Sequence, residues 1–280
     1  MDKIEVAVLN PHAVEDAERL MVLGARLTQR SDKIHSMEDM MALYKRSYSN
    51  QTVHTMASLP HPNIQRQAMI TIAMVGISRR FWSQITRHQD DVHFVGGSLQ
   101  YNDYSDSLEV VIPYEIMELD HERIGNAELE EGYHRRNFIN SCRNAINDYR
   151  GAIEQGVPHD AAGYIASFGM RQVAIMSATA WEWHHIIAQR ICRRNTFETQ
   201  YVMLRCWEEL EKLGEIFANC GPFCTEPGGC REGKFCCMRG FITSDVMDRI
   251  EQYGESIPTA YLNVNFPLIR QKQIKEAEGK

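Results

Sequence analysis

Three stretches of the chain concentrate side chains that could do chemistry. The first is "RRFWSQITRHQ" (79–89), followed by Ser98, Gln100 and Tyr101. On a helix, Arg80, Gln84, Arg87 and His88 share one face at i, i+4, i+7 and i+8. Such a face could grip a phosphate or a polar heterocycle, or it could be solvated; spacing leaves both open. The second is "WEWHHIIAQRICRRNTFE" (181–198), with two histidines and three arginines. His184 and His185 are adjacent, so on a helix they point about 100° apart and chelate poorly. Arg190 and Arg194, at i and i+4, could form an anion clamp. Ion pairing with Glu182, Glu198 or Glu208 is the competing reading. The third is Cys220, Cys224, Cys230, Cys236 and Cys237. Thiolates at Cys220, Cys224, Cys230 and Cys236 could hold zinc. Their C-x3-C, C-x5-C and C-x5-C spacings lack the paired C-x2-C knuckles of strong zinc motifs, so reduced thiols packing a loop are the default.

Helical spacing covers 13–29, and 36–48 opens on Ser36 with Asp39 as a capping pair. The run 68–75 suits a strand, after which Gly76 and Ser78 lead into a helix through His88. Residues 89–107, rich in Gly, Asp and Asn, read as a loop with short extended pieces, and 108–112 as a strand closed by Pro113. Helices are expected over 127–155, 160–168, 180–190, 196–219 and 244–252. Residues 172–178 fit either a strand or a buried helical segment. Few strands with helices on both sides in sequence indicate a single α+β domain. No Rossmann, P-loop or nucleophile-elbow motif is present.

Composition bounds the rest. With 44% hydrophobic and 24% charged residues over 280 positions, the chain is an ordinary globular one, neither disordered nor collagen-like. It has no apolar run long enough to span a membrane. The N-terminal sequence lacks a secretory pattern, so the cytoplasm is the expected compartment. A net charge of −7 argues against broad nucleic-acid binding but allows local basic pockets. Eight cysteines in such a setting suggest free thiols or metal before disulfides.

Taken together, these segments resemble the flavin-dependent thymidylate synthases. "GISRRFWSQITRHQ" with "SLQY" is similar to the helix and R-H-R-x7-S signature of that family. "EQGVPHDAAGYIASF" is similar to its V-P-x-x-x-A-R element, and "TAWEWHHIIAQRICRRNTFET" to its N-x-R-x-L-x-H-F-L-x-L-R-x-C-x-R-A-Q-x-E-I element. "GARLT" (24–28) resembles an N-terminal A-R-x-S, and "FANCGPFCTEPGGCREGKFCC" the ending of longer members.

The resemblance implies an α+β fold with helices on a small, mostly antiparallel sheet. It implies a catalytic domain over 1–219, with 220–280 as a Cys-rich loop and extension of it. It implies FAD as cofactor, NADPH and methylenetetrahydrofolate as co-substrates, a pyrimidine deoxynucleotide as substrate, and a homotetramer with sites shared between subunits. By matched position, Arg190 stabilises negative charge on the uracil, Gln84 orients the ring and Ser98 contacts the phosphate, beside Gln100 and Tyr101. Arg87, His88, Gln89, Thr179, His185 and Glu198 fall at cofactor-side positions. Either His54 or His61 matches a histidine near the flavin.

The departures carry information too. Gln89 replaces the third signature residue, and Ser98 arrives one residue late. Gln100 and Gly163 stand where the family places arginines, and Thr179 and Trp181 where it places the Asn and Arg that touch flavin. Gln cannot replace a charge-assisted Arg–phosphate bond at equal strength. Either other arginines, such as Arg80, Arg171, Arg193 or Arg194, take over, or the ligand differs. The pattern therefore implies a divergent member, whose base or product (methyl or hydroxymethyl) can differ from the family's, or a relative without catalysis.

Overall fold

Strands β1 (Glu5–Val8), β2 (Met69–Ser78), β3 (Val92–Gly96) and β4 (Arg171–Thr179) form one antiparallel sheet in the order β1-β2-β4-β3. The computed structural model describes residues 4–105, 109–119, 133–225 and 229–237. The helices in chain order are α1 (His12–Arg30), α2 (Met37–Tyr44), α3 (Asn50–Ala57), α4 (Pro62–Gln65) and α5 (Arg79–Ile85). They continue as α6 (Tyr114–Leu119), α7 (Tyr133–Glu154), α8 (His159–Ala162), α9 (Ala180–Arg190) and α10 (Phe197–Glu211). The α+β expectation with a small antiparallel sheet holds.

The sheet is two-sided for a reason visible in its alternation. Ile70, Ile72 and Met74 of β2 and Ala174, Met176 and Ala178 of β4 point into the core. Val95, Val173 and Ile175 point the other way and are exposed. Val95 pairs with Ile175, so these apolar groups share one face that no described residue covers. On the covered side lie α1, α9 and α10. Trp183 is fully buried there and donates its indole N–H to the Ile70 carbonyl at 3.0 Å. The segment 172–178 is thus a strand. Its alternation, invisible as helix or strand by spacing alone, is set by pairing with β2.

Register decides where the helices start. Gly76 has φ of 83°, a left-handed conformation that L side chains rarely adopt, and the β2–β4 register shifts between Val75 and Ile77. This bulge turns both Ile77 and Ser78 inward. Ser78 then accepts the Phe81 N–H at 3.0 Å and caps α5. At the other end of β4, Thr179 caps α9 by accepting from Glu182 N at 3.4 Å. Because Met69 pairs with Thr179 and Ser78 with Arg171, α5 and α9 leave from opposite ends of the sheet.

Several expected elements differ. Residues 109–112 form an isolated bridge, Val110 to Met170, rather than a strand, since Val110, Val111 and Ile112 are all buried and Pro113 lacks an N–H; Leu108 lies outside the described residues. The expected helix 160–168 is one turn, α8, and a 3-10 turn over Gly163–Ile165, after which Ala166 is extended. The helix expected to reach 219 stops at Glu211, and Gly214 is extended before the 3-10 turn Glu215–Phe217. Helix α7 spans Tyr133–Glu154, and residues 127–132 of that expectation lie outside the described residues, as does the helix 244–252. Strands β1 and β3 and helices α3, α4 and α6 were not expected individually. Among the described residues no helix is long and apolar enough to cross a membrane.

Candidate active site

Helices α5 and α9 start far apart and end together. Arg190, the last residue of α9, donates Nη2–H to the Gln84 carbonyl at 2.8 Å. That carbonyl lies in the last turn of α5, where no following helical N–H is available, so a cation there satisfies both a hydrogen bond and the helix dipole. Arg190 also donates Nε–H to His88 Nε2 at 2.9 Å. His88 Nε2 is therefore an acceptor, and in the neutral ring its proton sits on Nδ1. Nδ1 faces Glu182 Oε1 at 3.5 Å. Glu182, His88 and Arg190 thus form a buried chain ending on the guanidinium. Burial first, and the charge of nearby Arg87 second, lower the Arg190 pKa. The group stays cationic because guanidinium holds its proton so strongly. Two of its N–H groups are used within the described residues, leaving the rest for a ligand.

The ligating atoms of His88, Glu182 and His185 all lie within 4.8 Å of one another. Both ring nitrogens of His88 already face protein groups, so the arrangement suits a hydrogen-bonded chain better than a metal centre. His185 is exposed and meets His88 edge-on, with ring centroids 5.9 Å apart. His184 turns inward instead. It bonds the Ile216 carbonyl at 2.7 Å and stacks on Phe217, and burial lowers its pKa. Arg87 and Gln89 are exposed beside the buried His88. The single polar face expected over 80–88 does not form, because α5 ends at Ile85 and the chain turns, with His88 N on the Ile85 carbonyl.

Two expected cofactor-side residues serve the fold. Thr179 is buried as the cap of α9. Glu198 is buried in α10 and accepts from Ser78 N and Ser78 Oγ, both at 2.6 Å. Desolvation raises its pKa to about 7 against the lowering effect of those bonds, with Glu115 adding to the rise. Neither presents a surface to a ligand in this chain. The competing ion pairs of Arg190 and Arg194 with Glu182, Glu198 or Glu208 are absent among the described residues. Arg194 pairs with Glu232 at 2.7 Å.

Ser98, Gln100 and Tyr101 occupy a turn beyond the far end of β3. Ser98 Oγ accepts from Gln100 N at 3.1 Å, and Tyr101 is 81% exposed. Val92 pairs with Ala178 near the start of α9 and Gly96 with Ala174, and the Trp82 ring of α5 lies against Gly96 at the Ser98 end of β3. The chain does bring together the two neutral positions. A Cβ on Gly163 would stand 3.0 Å from Leu99 Cδ1, so the Ser98–Gln100 turn packs directly on Gly163 and Leu99 would have to shift to admit a side chain there.

Arg79, the first residue of the basic stretch 79–89, stands next to this turn, facing Tyr104. Arg79 Nη1 is buried without a hydrogen-bond partner among the described residues, and burial lowers the Arg79 pKa while Tyr104 opposes that. A Cβ on Gly97 would be 3.0 Å from the same Tyr104 hydroxyl. Of the alternatives expected from sequence, Arg171 is paired with Glu109 at 3.1 Å and Arg194 with Glu232. His61 begins α4, which packs on α9, whereas His54 lies on α3, which packs on α1 and the 215–217 turn. Elsewhere, Arg26, Arg30, Lys33, Lys45 and Arg46 line a basic cavity of about 660 Å³ over α1 and α2.

Comparison with known proteins finds relatives over most of the chain. A flavin-dependent thymidylate synthase of Geobacter sulfurreducens is 26% identical over 226 residues, covering 79% of this chain and 89% of that protein. One from Thermococcus onnurineus is 26% identical over 182 residues, covering 62% and 69%. The fold is shared with thymidylate synthase X of Helicobacter pylori, solved with FAD and dUMP, at a TM-score of 0.54 and 15% identity over 78% of this chain and 99% of that one. It is shared too with PolB, a UMP/dUMP methylase of Streptomyces cacaoi bound to 5-Br dUMP, at a TM-score of 0.59 and 13% identity over 78% and 94%. A family model described as thymidylate synthase complementing protein matches residues 11–213. With that span covering most of the chain, including Arg190, His88 and the Ser98 turn, the protein belongs to the thymidylate synthase complementing protein family.

Proposed function

We propose that the protein is a flavin-dependent methyltransferase of the thymidylate synthase type. It would transfer a one-carbon unit from methylenetetrahydrofolate to C5 of a pyrimidine deoxynucleotide, dUMP in the first instance. The observation that carries this reading is the buried Arg190, fixed by Gln84 and His88 with donors to spare. A cation held this way needs no reorganisation as negative charge develops on a pyrimidine ring, which is where electrostatic catalysis is strongest. No thiol nucleophile is needed for such activation.

The residues present fit a flavin. Exposed Arg87 can meet an anionic diphosphate, and exposed His185, beside His88, offers a flat polar face to a ring. Reduced flavin, when bound, supplies the hydride that completes the transferred group, and NADPH restores it. Gln84 holds Arg190 through its carbonyl, so any ring it orients is aligned with the same cation. Arg79 is the cation best placed to meet the nucleotide phosphate at the Ser98 turn.

The uncovered face bearing Val95, Val173 and Ile175 is a surface on which copies could pack, as a homotetramer requires. A further reading is a pyrimidine nucleotide other than dUMP, since Gln100 and Gly163 stand where the family places arginines. The test is to purify the full chain, measure bound flavin by its absorbance, and titrate dUMP and UMP against it. Flavin near one per chain, with nucleotide binding that perturbs its spectrum, is expected. Colourless protein that also fails to take up added FAD overturns the reading.

A further inference from the structure

Beyond Pro222 the chain has no buried residue of its own among those described up to Cys237. The inward side of this loop is made of sulfur. Over 223–237 only Phe223, Cys224, Cys230, Cys236 and Cys237 are half-buried, and every other described residue is exposed. A loop of this length held by apolar packing would turn Leu, Ile or Phe inward; here Phe235 is exposed and the thiols face in. What they face is the junction between α9 and α10, which contributes a fifth thiol, Cys192. Cys192, Cys224, Cys230 and Cys237 line one cavity of about 290 Å³ together with Arg190 and Glu232. The Cys230 and Cys236 thiols are hydrogen-bonded to each other, and Cys192 is close enough to both Cys224 and Cys230 for its charge to act on them.

Cys220 stands apart from this group. It is buried in the main core with Ile216 and Phe217, away from the cavity that Cys192, Cys224, Cys230 and Cys237 line. The set Cys220, Cys224, Cys230 and Cys236 suggested by spacing is therefore replaced by one that spans two distant segments. All eight cysteines are free thiols. Surface contacts do hold the loop, including Arg194 with Glu232 at 2.7 Å and Arg231 over the Phe223 ring at 4.3 Å. Exposed pairs of this kind contribute little, typically about 0–1 kcal/mol.

We propose that Cys192, Cys224 and Cys230, with a fourth thiolate from the Cys236–Cys237 pair, bind one structural zinc ion that clamps the C-terminal loop onto the α9–α10 junction. Each ligand gives up its thiol proton, and the ion relieves the mutual repulsion of thiolates crowded around one cavity. Among the described residues no three of these sulfurs lie within 4.8 Å of one another, so binding draws the loop and the α9–α10 junction together until the sulfurs stand about 2.3 Å from the metal. The site is closed, with four protein ligands and no position for substrate. It shares a wall with Arg190 and so shapes one side of the candidate active site without entering its chemistry.

The test is metal analysis of the full chain after gentle purification, with wild type compared to Cys192→Ser, Cys230→Ser and Cys142→Ser. About one zinc per chain is expected in wild type and in Cys142→Ser, and less than roughly a fifth of that in the other two. Cobalt replacement on the wild-type chain gives a second readout independent of variant folding, an intense visible spectrum with sulfur-to-cobalt charge transfer diagnostic of a tetrahedral thiolate site. Zinc absent even after reconstitution, stoichiometric zinc persisting in Cys192→Ser, iron with sulfide in place of zinc, or a cobalt spectrum lacking thiolate bands would each overturn the proposal.

Discussion

Arg190 and His88 lie 102 positions apart in sequence and share a buried hydrogen bond, Nε–H to Nε2, at 2.9 Å. Its geometry makes His88 a positioning residue for the cation as well as a neighbour of the exposed rim. Replacing His88 with Ala leaves a buried charged donor without its acceptor, which costs about 1–3 kcal/mol of unfolding free energy. His88→Asn, which restores an acceptor, should recover part of that loss. In an Arg190→Ala background the His88→Ala change should cost measurably less, because no donor is left stranded. Denaturant unfolding of the four variants in a double-mutant cycle checks this, and additive losses would remove the coupling.

Glu198 makes the fold's stability depend on pH. Its folded pKa, raised to about 7, lies above the ordinary carboxylate value near 4.5. The folded state therefore binds the extra proton, and the associated stability is fully present below about pH 4.5 and lost as pH rises through about 7. The difference is on the order of 3 kcal/mol. Glu198→Gln should flatten this part of the wild-type profile. Unfolding midpoints of both proteins at about pH 5 and about pH 8 give the comparison, and equal slopes would show that Glu198 does not titrate in that window.

Arg79 is the residue expected to take over at the phosphate. Its buried Nη1 has no hydrogen-bond partner among the described residues, so a ligand oxygen would satisfy it. Arg79→Gln should raise the nucleotide Kd by roughly 10- to 100-fold, the loss expected for a hydrogen bond to a charged group. Thermal stability should hold or rise, since a half-buried unpaired donor is removed. A KM for nucleotide that does not move would assign the phosphate elsewhere.

The readable parts of this molecule were those whose signals are local. Capping residues Ser36, Ser78 and Thr196 mark real helix starts. Arg190 and Gln84, matched by motif, do converge. What escaped the sequence depends on pairing and depth. Strand β3 sits in a Gly- and Asp-rich stretch and exists through its register with β4. Glu198 was expected at a cofactor, but α10 is buried on every side from Phe197 to Leu204, so no periodicity separates an inward carboxylate from an outward one. Gly163 resembled a lost arginine in sequence, whereas in the fold it is the floor on which Leu99 rests. Cys192 lay outside the cysteine cluster in sequence and inside it in space.

The central claim is that Arg190 activates a pyrimidine nucleotide for flavin-dependent one-carbon transfer. Tritium release from C5-tritiated dUMP tests it, with FAD, NADPH and methylenetetrahydrofolate supplied, in wild type and Arg190→Ala after both are shown to be folded. The account predicts release by the wild type that depends on the flavin and the folate, reduced about 10²- to 10³-fold in the variant. Equal rates in the two proteins, or wild-type release that proceeds without flavin, would contradict it.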